Sequence, residues 1–489
     1  MTTPASAQNL KKFEKKVTEF TLDNGLHFII VERHEAPVVS FMTYANVGGV
    51  DEVKGVTGMA HMFEHMAFKG TSDIGTKDPA AERECMDRAD ALYDEWRREK
   101  AKGSRANPDE IARLEEEFKA VDESCREFIV PAEYDQLLTS NGATGLNAST
   151  WYDETRYYLN LPSNKLELWF ALESVRFLDP VLREFYQEKD VVTEERRMRT
   201  ENQPIGKLLE ETVSAAYKSH PYGEPVVGHM SDIHSYTREE ARKWFETYYG
   251  PGNLTICIAG DVDPDEAKKL AKTYFERLPV RPEPPLVDTV EPPQLGERRV
   301  TIEDPAQPAV LIAYHKPDMF HEDAAVFDAI SDIMGSGRTS RLNKVLVKEK
   351  KIAVAAGGFA GFIGGKFPDL FLFFAIPSQG HTAAECEEAI LAEIEKMKNE
   401  LVEADELRKS KTRARAGLIR QLGSNSGLAF QLAGYQAKYG DWRRLFTEID
   451  DIEAVTADDI KRVANEYFKK NNRTVGSLVT EEKDVQTES

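Results

Sequence analysis

Residues 279–297, PVRPEPPLVDTVEPPQLGE, divide this chain before any motif in it is considered. Prolines fix φ and remove backbone donors, so a stretch this rich in them continues neither a helix nor a central strand. It has no apolar periodicity and reads as an extended, semi-rigid linker. A chain of 489 residues is too long for one ordinary core and fits two domains of roughly 200–250 residues. The boundaries that follow are 1–278 and 298–489. On each side strands come first, long helices follow, and a further strand closes the unit, at 253–258 and again at 474–479. That parallel layout predicts an α+β fold made of two similar α/β-sandwich domains in tandem.

Near the start, residues 17–31 alternate apolar and polar around Asp23-Asn24-Gly25, a two-residue hairpin signal. A strand over about 38–47 is stopped by Gly48-Gly49, and Gly55 and Gly58 bracket a turn into a helix. That helix carries His61-Met62-Phe63-Glu64-His65. Side chains four apart share a helix face, so His61 and His65 can reach one ion at about 2.0–2.1 Å. Glu64 borders that face and can take a proton from an attacking water without binding the ion itself. The string HxxEH is the reverse of HExxH and is known as an inverted zincin motif. The plainer alternative is a pair of satisfied helix histidines.

Zinc in a hydrolytic site takes three protein donors, so a third must lie elsewhere. The best candidate is a helix predicted from Leu182 to about Asn202, where Glu188 and Glu195 are seven residues apart and share a face. Either can face the metal. Glu194 points about 100° away from Glu195, so the two cannot both serve. A solvated helix face is the alternative for these carboxylates.

With the two motifs in place, the chain resembles the pitrilysin and insulinase family of inverted zincin metallopeptidases, which includes the mitochondrial processing peptidases. The resemblance implies Glu195 as the third zinc ligand and Glu188 as a supporting carboxylate. Gly145-Leu146-Asn147-Ala148-Ser149-Thr150 is similar to the family's Asn-Ala-x-Thr strand. Asn147, Ala148 and Thr150 would therefore align an extended substrate along a sheet edge; an ordinary strand is the alternative. His220-Pro221-Tyr222-Gly223 and Gly260-Asp261-Val262-Asp263-Pro264 look like further family landmarks, serving the fold.

The same resemblance implies a zinc-dependent endopeptidase that cleaves peptides or unfolded segments inside a clam-shell chamber, of which this chain is half. Complete family enzymes carry an Arg and a Tyr in a second-half stretch that Ser340-Arg341-Leu342 matches. Here Val347 and Val354 fall at those positions, and neither can donate a hydrogen bond. The favoured reading is a catalytic subunit whose homologous partner supplies Arg and Tyr, a heterodimer. A homodimer using other groups is the alternative. A non-catalytic scaffold subunit of the same family is the competing function.

Between the motifs lies an insertion at about 77–130. Cys85, Ala89, Leu92 and Trp96 form one apolar stripe, and Ile111, Leu114, Phe118, Val121, Cys125 and Phe128 another. Joined by Gly103-Ser104-Arg105, they predict an antiparallel helical hairpin, acting as lid, partner contact or decoration. Cys85 and Cys125 stand symmetrically about Arg105, open to a disulfide or to simple core filling. None of the four cysteines has zinc-finger spacing.

The net charge of −21 argues against a nucleic-acid partner, and no apolar run is long enough for a membrane span. The start, Met-Thr-Thr-Pro-Ala-Ser-Ala-Gln, has no basic region or apolar core of an intact signal. Ala5-Ser6-Ala7 is similar to the small-residue end of a trimmed one. That suggests a periplasmic or secreted protein, with the cytoplasm as alternative.

Overall fold

The computed structural model describes residues 5–480, with side chains from Leu10 onward. The Met1 to Pro4 start used in the export-signal reading lies outside the described residues. Among the described residues eleven strands form two sheets. The first contains β1 (Val17–Thr21), β2 (His27–Glu32), β3 (Val38–Ala45), β4 (Thr144–Thr150), β5 (Thr155–Pro162) and β6 (Leu254–Gly260), in the order β1-β2-β6-β3-β5-β4. The second contains β7 (Arg298–Asp304), β8 (Ala309–Lys316), β9 (Ala353–Phe359), β10 (Asp369–Pro377) and β11 (Arg473–Thr480), in the order β7-β11-β8-β10-β9.

The two sheets repeat one topology. In each, the last strand in sequence inserts between the first two of the common set. Thus β6 runs parallel to β2 and antiparallel to β3, just as β11 runs parallel to β7 and antiparallel to β8. The edge strands β4 and β9 occupy equivalent places. β1 is extra and pairs with β2 through the hairpin expected at Asp23-Asn24-Gly25. Residues 279–297 hold no helix or strand and are tied down at Glu291, which accepts from the backbone of Lys218 and Ser219 at 2.8 Å each.

Pleating sends alternate side chains to opposite faces, and here both faces are apolar. On the first sheet, Phe28, Ile30, Phe41 and Ile258 face the helices Leu166–Leu178 and Pro264–Phe275 of the same half. Ile29, Val31, Met42, Tyr44 and Cys257 face the other way, against Leu428, Leu432 and Trp442 from the second half. The second sheet mirrors this. Val310, Ile312, Phe371 and Phe373 face their own helices, while Leu311, Leu370 and Leu372 pack on Leu208 and Val213 of the helix Pro204–Ala216 from the first half. This double coverage explains why β6 reads LTICIAG, buried at every position, and not as an alternating strand. The approach of Pro204–Ala216 is close enough to require Gly476, where a Cβ would lie 1.9 Å from Thr212 Oγ1.

The insertion is a helical hairpin of Pro79–Lys100 and Pro108–Cys125, N-capped by Asp78 and Asn107. Both helices start with proline, whose missing donor costs nothing in the first turn. A Thr76–Ile129 bridge closes its base. Cys85 and Cys125 are joined in a disulfide with 5.6 Å between their Cα atoms. The rings of Tyr93 and Phe118 pack against Tyr186 at 4.4 and 5.0 Å, the first tilted and the second edge-on, so the hairpin packs on the second motif helix. Among the described residues no helix is long and apolar enough to cross a membrane.

Two outcomes follow from this packing. Denatured, unreduced protein should titrate two thiols, Cys257 and Cys386, and four after reduction. Trp442→Ala, which empties a fully buried site beneath the first sheet, should lower stability by about 3–5 kcal/mol in chemical denaturation.

Candidate metal centre

The helix Met59–Met66 carries His61, Glu64 and His65, and its position is set from both ends. It begins at Gly58, φ +86°, where a Cβ would lie 2.4 Å from Val227 O. The first turn has no capping side chain of its own. The buried carboxyl group of Glu52 takes that place, accepting from Gly58 N at 2.7 Å and Ala60 N at 2.8 Å. Met62 and Phe63 are buried in the core, with Phe63 against Phe245 and Tyr249.

The second motif helix spans Phe185–Arg196 and continues as a wider π turn over Arg197–Glu201. It starts three residues later than the sequence suggested. Leu182 and Glu184 adopt left-handed conformations, φ +58° and +57°, which a helix cannot contain. Arg183 between them is buried and donates to the carbonyls of Lys69, Thr71 and Ile74 at 2.5, 2.6 and 2.7 Å and to Glu82 at 2.8 Å. One guanidinium thereby binds the exit of the first motif helix, the start of the hairpin and the start of the second motif helix.

These constraints bring His61, His65 and Glu195 together. The Nε2 atoms of His61 and His65 are 3.3 Å apart, and Glu195 Oε2 lies 3.6 Å from the first and 3.4 Å from the second. Donors bound to zinc at about 2.0–2.1 Å in a tetrahedron stand about 3.3–3.4 Å from one another. The triangle fits that ion, and it is the one such cluster of His, Cys, Asp and Glu among the described residues. Glu188 accepts from His65 Nδ1 at 2.9 Å, an orienting contact typical of carboxylate–histidine–zinc arrangements. His61 Nδ1 is buried without a partner. Glu194 points away, 62% exposed and paired with Arg197.

Two cations that the sequence reading did not single out complete the cluster. Lys69 Nζ is 2.6 Å from Glu188 and 3.2 Å from Glu184, and Arg199 is 2.6 Å from Glu195 Oε1. Four carboxylates, Glu64, Glu184, Glu188 and Glu195, face these two cations.

Titration behaviour follows from the crowding. Burial, then the charge of His65, pushes His61 down to about 4. Burial opposes charge on His65 as well, but hydrogen bonds to Glu188 and Glu195 hold it up at about 9. The hydrogen bond from His65 draws Glu195 down to about 2. Burial raises Glu64, with the Thr150 hydrogen bond working against it.

The cluster opens onto a cleft of about 600 Å³ whose wall includes Asn147, Ala148, Ser149 and Thr150. These belong to β4, which ends the sheet and pairs on one side only, with β5. Its other side has no strand partner among the described residues, the condition under which a further strand can add. Thr150 Oγ1 donates to Glu64 Oε2 at 2.6 Å, and both residues line the cleft. Asn147 Oδ1 accepts from Ala148 N. In the second half, Val347 packs against the core and Val354 stands 56% exposed on β9.

Comparison with known proteins agrees with this architecture. The family model described as Peptidase M16 inactive domain matches residues 235–414. The zinc protease PqqE of Helicobacter pylori is 28% identical over 486 residues, covering 97% of this chain and 95% of that protein. A crystal structure of a protease from Helicobacter pylori superposes with a TM-score of 0.79 at 29% identity, over 95% of this chain and 99% of that one. The chain is similar to the M16 peptidases, the family of pitrilysin and insulinase. It also shares its fold with the periplasmic protease PqqL from Escherichia coli, with a TM-score of 0.69 at 17% identity, over 95% of this chain and 48% of that one. The stretch matched by the inactive-domain model begins beyond Glu195 and contains none of the clustered residues.

Glu188→Gln and Lys69→Met should each weaken zinc binding about 10–100-fold in competition with a chelator. Glu194→Gln should leave it unchanged.

Proposed function

We propose that this chain is a zinc-dependent endopeptidase of the M16 family acting on peptides or unfolded segments. Two domains, 1–278 and 298–489, joined by residues 279–297, would form half of a chamber. His61, His65 and Glu195 would hold the ion. The observation that carries the reading is the convergence of that triangle with Glu64 beside a sheet edge that has no second neighbour. Zinc held there would polarise a peptide carbonyl and acidify water at neutral pH.

Every other part of the chemistry falls to the chain's own groups. Glu64 takes the proton of the attacking water and returns it to the leaving amine, a double use favoured by burial that raises its proton affinity. Thr150 fixes which carboxylate oxygen faces the cleft. Glu188, kept charged by Lys69, holds the His65 ring and its tautomer. An extended peptide adds to β4 through backbone hydrogen bonds, which ask little of its side chains.

The partner is proposed to be a homologous subunit that supplies the Arg and Tyr absent at Val347 and Val354, with a homodimer as the alternative. The chain's match to about half of PqqL supports a two-part assembly. A non-catalytic scaffold is the second reading, favoured by the inactive-domain description of the second-half match. Metal analysis separates the two readings, since a scaffold need not carry one zinc per chain. Glu64→Gln should retain stoichiometric zinc and lose turnover by at least about 100-fold; turnover near that of the parent would remove Glu64 from the mechanism.

A further inference from the structure

The turn that follows β4 is held by the other half of the molecule. Asp153 is 0% exposed and Glu154 7%, and carboxylates so deeply placed require partners. Some are local. Tyr222 donates to Asp153 Oδ1 at 2.6 Å, Tyr44 to Glu154 at 3.0 Å, and Arg156 pairs with Glu154 at 2.7 Å. The remainder come from beyond residue 297. Lys366 donates its backbone N–H to Asp153 Oδ2 at 3.1 Å and its ammonium to Asp153 O at 2.9 Å and to Asn46 Oδ1. Lys438, on the helix Asn425–Tyr439, lies 2.8 Å from Glu154 Oε2. The approach is tight: a Cβ on Gly364 would fall 2.3 Å from the Tyr222 hydroxyl and 2.7 Å from Asp153 Oδ2.

This turn joins both arms of the candidate centre. Trp151 N donates to Glu154 O at 2.8 Å, which closes the turn. On one side it is continuous with Thr150, the residue that holds Glu64. On the other, the carbonyls of Trp151 and Tyr152 accept from Gly49 N at 3.1 Å and Val50 N at 2.9 Å. Two residues further on, Glu52 caps the helix of His61.

We infer that Lys366 and Lys438 are positioning residues for the peptidase centre: they latch the Asp153-Glu154 turn and thereby hold Thr150, Glu64 and the free edge of β4 in register. The second half, which contributes no side chain to the metal cluster, acts on the first through this turn. A contiguous hydrogen-bonded path is a physical basis for such coupling, and only a measurement of coupling establishes it. The inference rests on the proposed peptidase activity for its kinetic consequence, but its structural consequence stands apart from catalysis.

The test compares Lys366→Met and Lys438→Met, separately, with the full-length zinc-loaded parent. Zinc content and circular dichroism are expected to stay at parental values. Amide hydrogen exchange over 147–150 should accelerate at least tenfold, and kcat on an extended peptide should fall at least tenfold, with partial rescue by Lys366→Arg. Exchange and kcat both within twofold of the parent would overturn the latch. A parent that binds zinc but cleaves nothing would count against the peptidase reading and leave the exchange comparison to decide the latch. If Lys366→Met does not fold, Lys438→Met decides, because Glu154 then still keeps Arg156 and Tyr44.

Discussion

Each sheet of this protein has two apolar faces and enough helices of its own half to cover one. The remaining faces are closed by exchange: helices around Leu428 and Trp442 cover the first sheet, and the helix Pro204–Ala216 covers the second. Leaving either face in water would expose side chains such as Ile29, Met42, Leu311 and Leu372, each contributing roughly 1.5–3 kcal/mol by its burial. Burial therefore binds the two halves as one body, although their matching topologies describe each as a separate unit. Gly476 and Gly364 mark where this exchange is tightest, because a methyl group at either would collide with the opposite half.

The candidate centre inherits its rigidity from this arrangement. His61 and His65 lie on a helix of only eight residues, too short to hold itself in place. It is kept by a buried carboxyl group at one end, by the Arg183 guanidinium beyond the other, and by Phe63 in the core. The second motif helix is braced from behind by the disulfide-linked hairpin through Tyr93, Phe118 and Tyr186. Arg183, Tyr186 and Glu195 thus tie the insertion to the cluster, so the hairpin is packed into the support of the centre.

Features set by local periodicity were legible beforehand. The i, i+4 spacing of His61 and His65, the shared face of Glu188 and Glu195, the hairpin at Asn24-Gly25 and the helical insertion all follow from short-range geometry, whereas the edge character of the Asn147–Thr150 strand was implied by the family resemblance alone. The family resemblance chose Glu195 over Glu188, and the structure puts Glu195 beside both Nε2 atoms and Glu188 on the outer nitrogen of His65. Lys69, Arg199 and Glu52 escaped notice. Lys69 and Arg199 are ordinary charged residues until their partners are known, and Glu52 caps a helix from outside it. The late start of the second motif helix was hidden too, because nothing in Leu182 or Glu184 announces a left-handed backbone.

What the sequence determined by itself is the chemistry on offer: two histidines and a carboxylate on one helix, two carboxylates on another, and two α+β units of like order separated by a proline-rich segment. What only the tertiary structure decided is who meets whom. It formed the Cys85–Cys125 bond, turned Thr150 toward Glu64, and placed Lys366 and Lys438 on the turn beyond β4. An amphipathic helix encodes the need for an apolar partner but not which sheet it will cover, and a lone charge encodes a need for its opposite without an address. Those addresses exist only once the two halves have closed their shared cores.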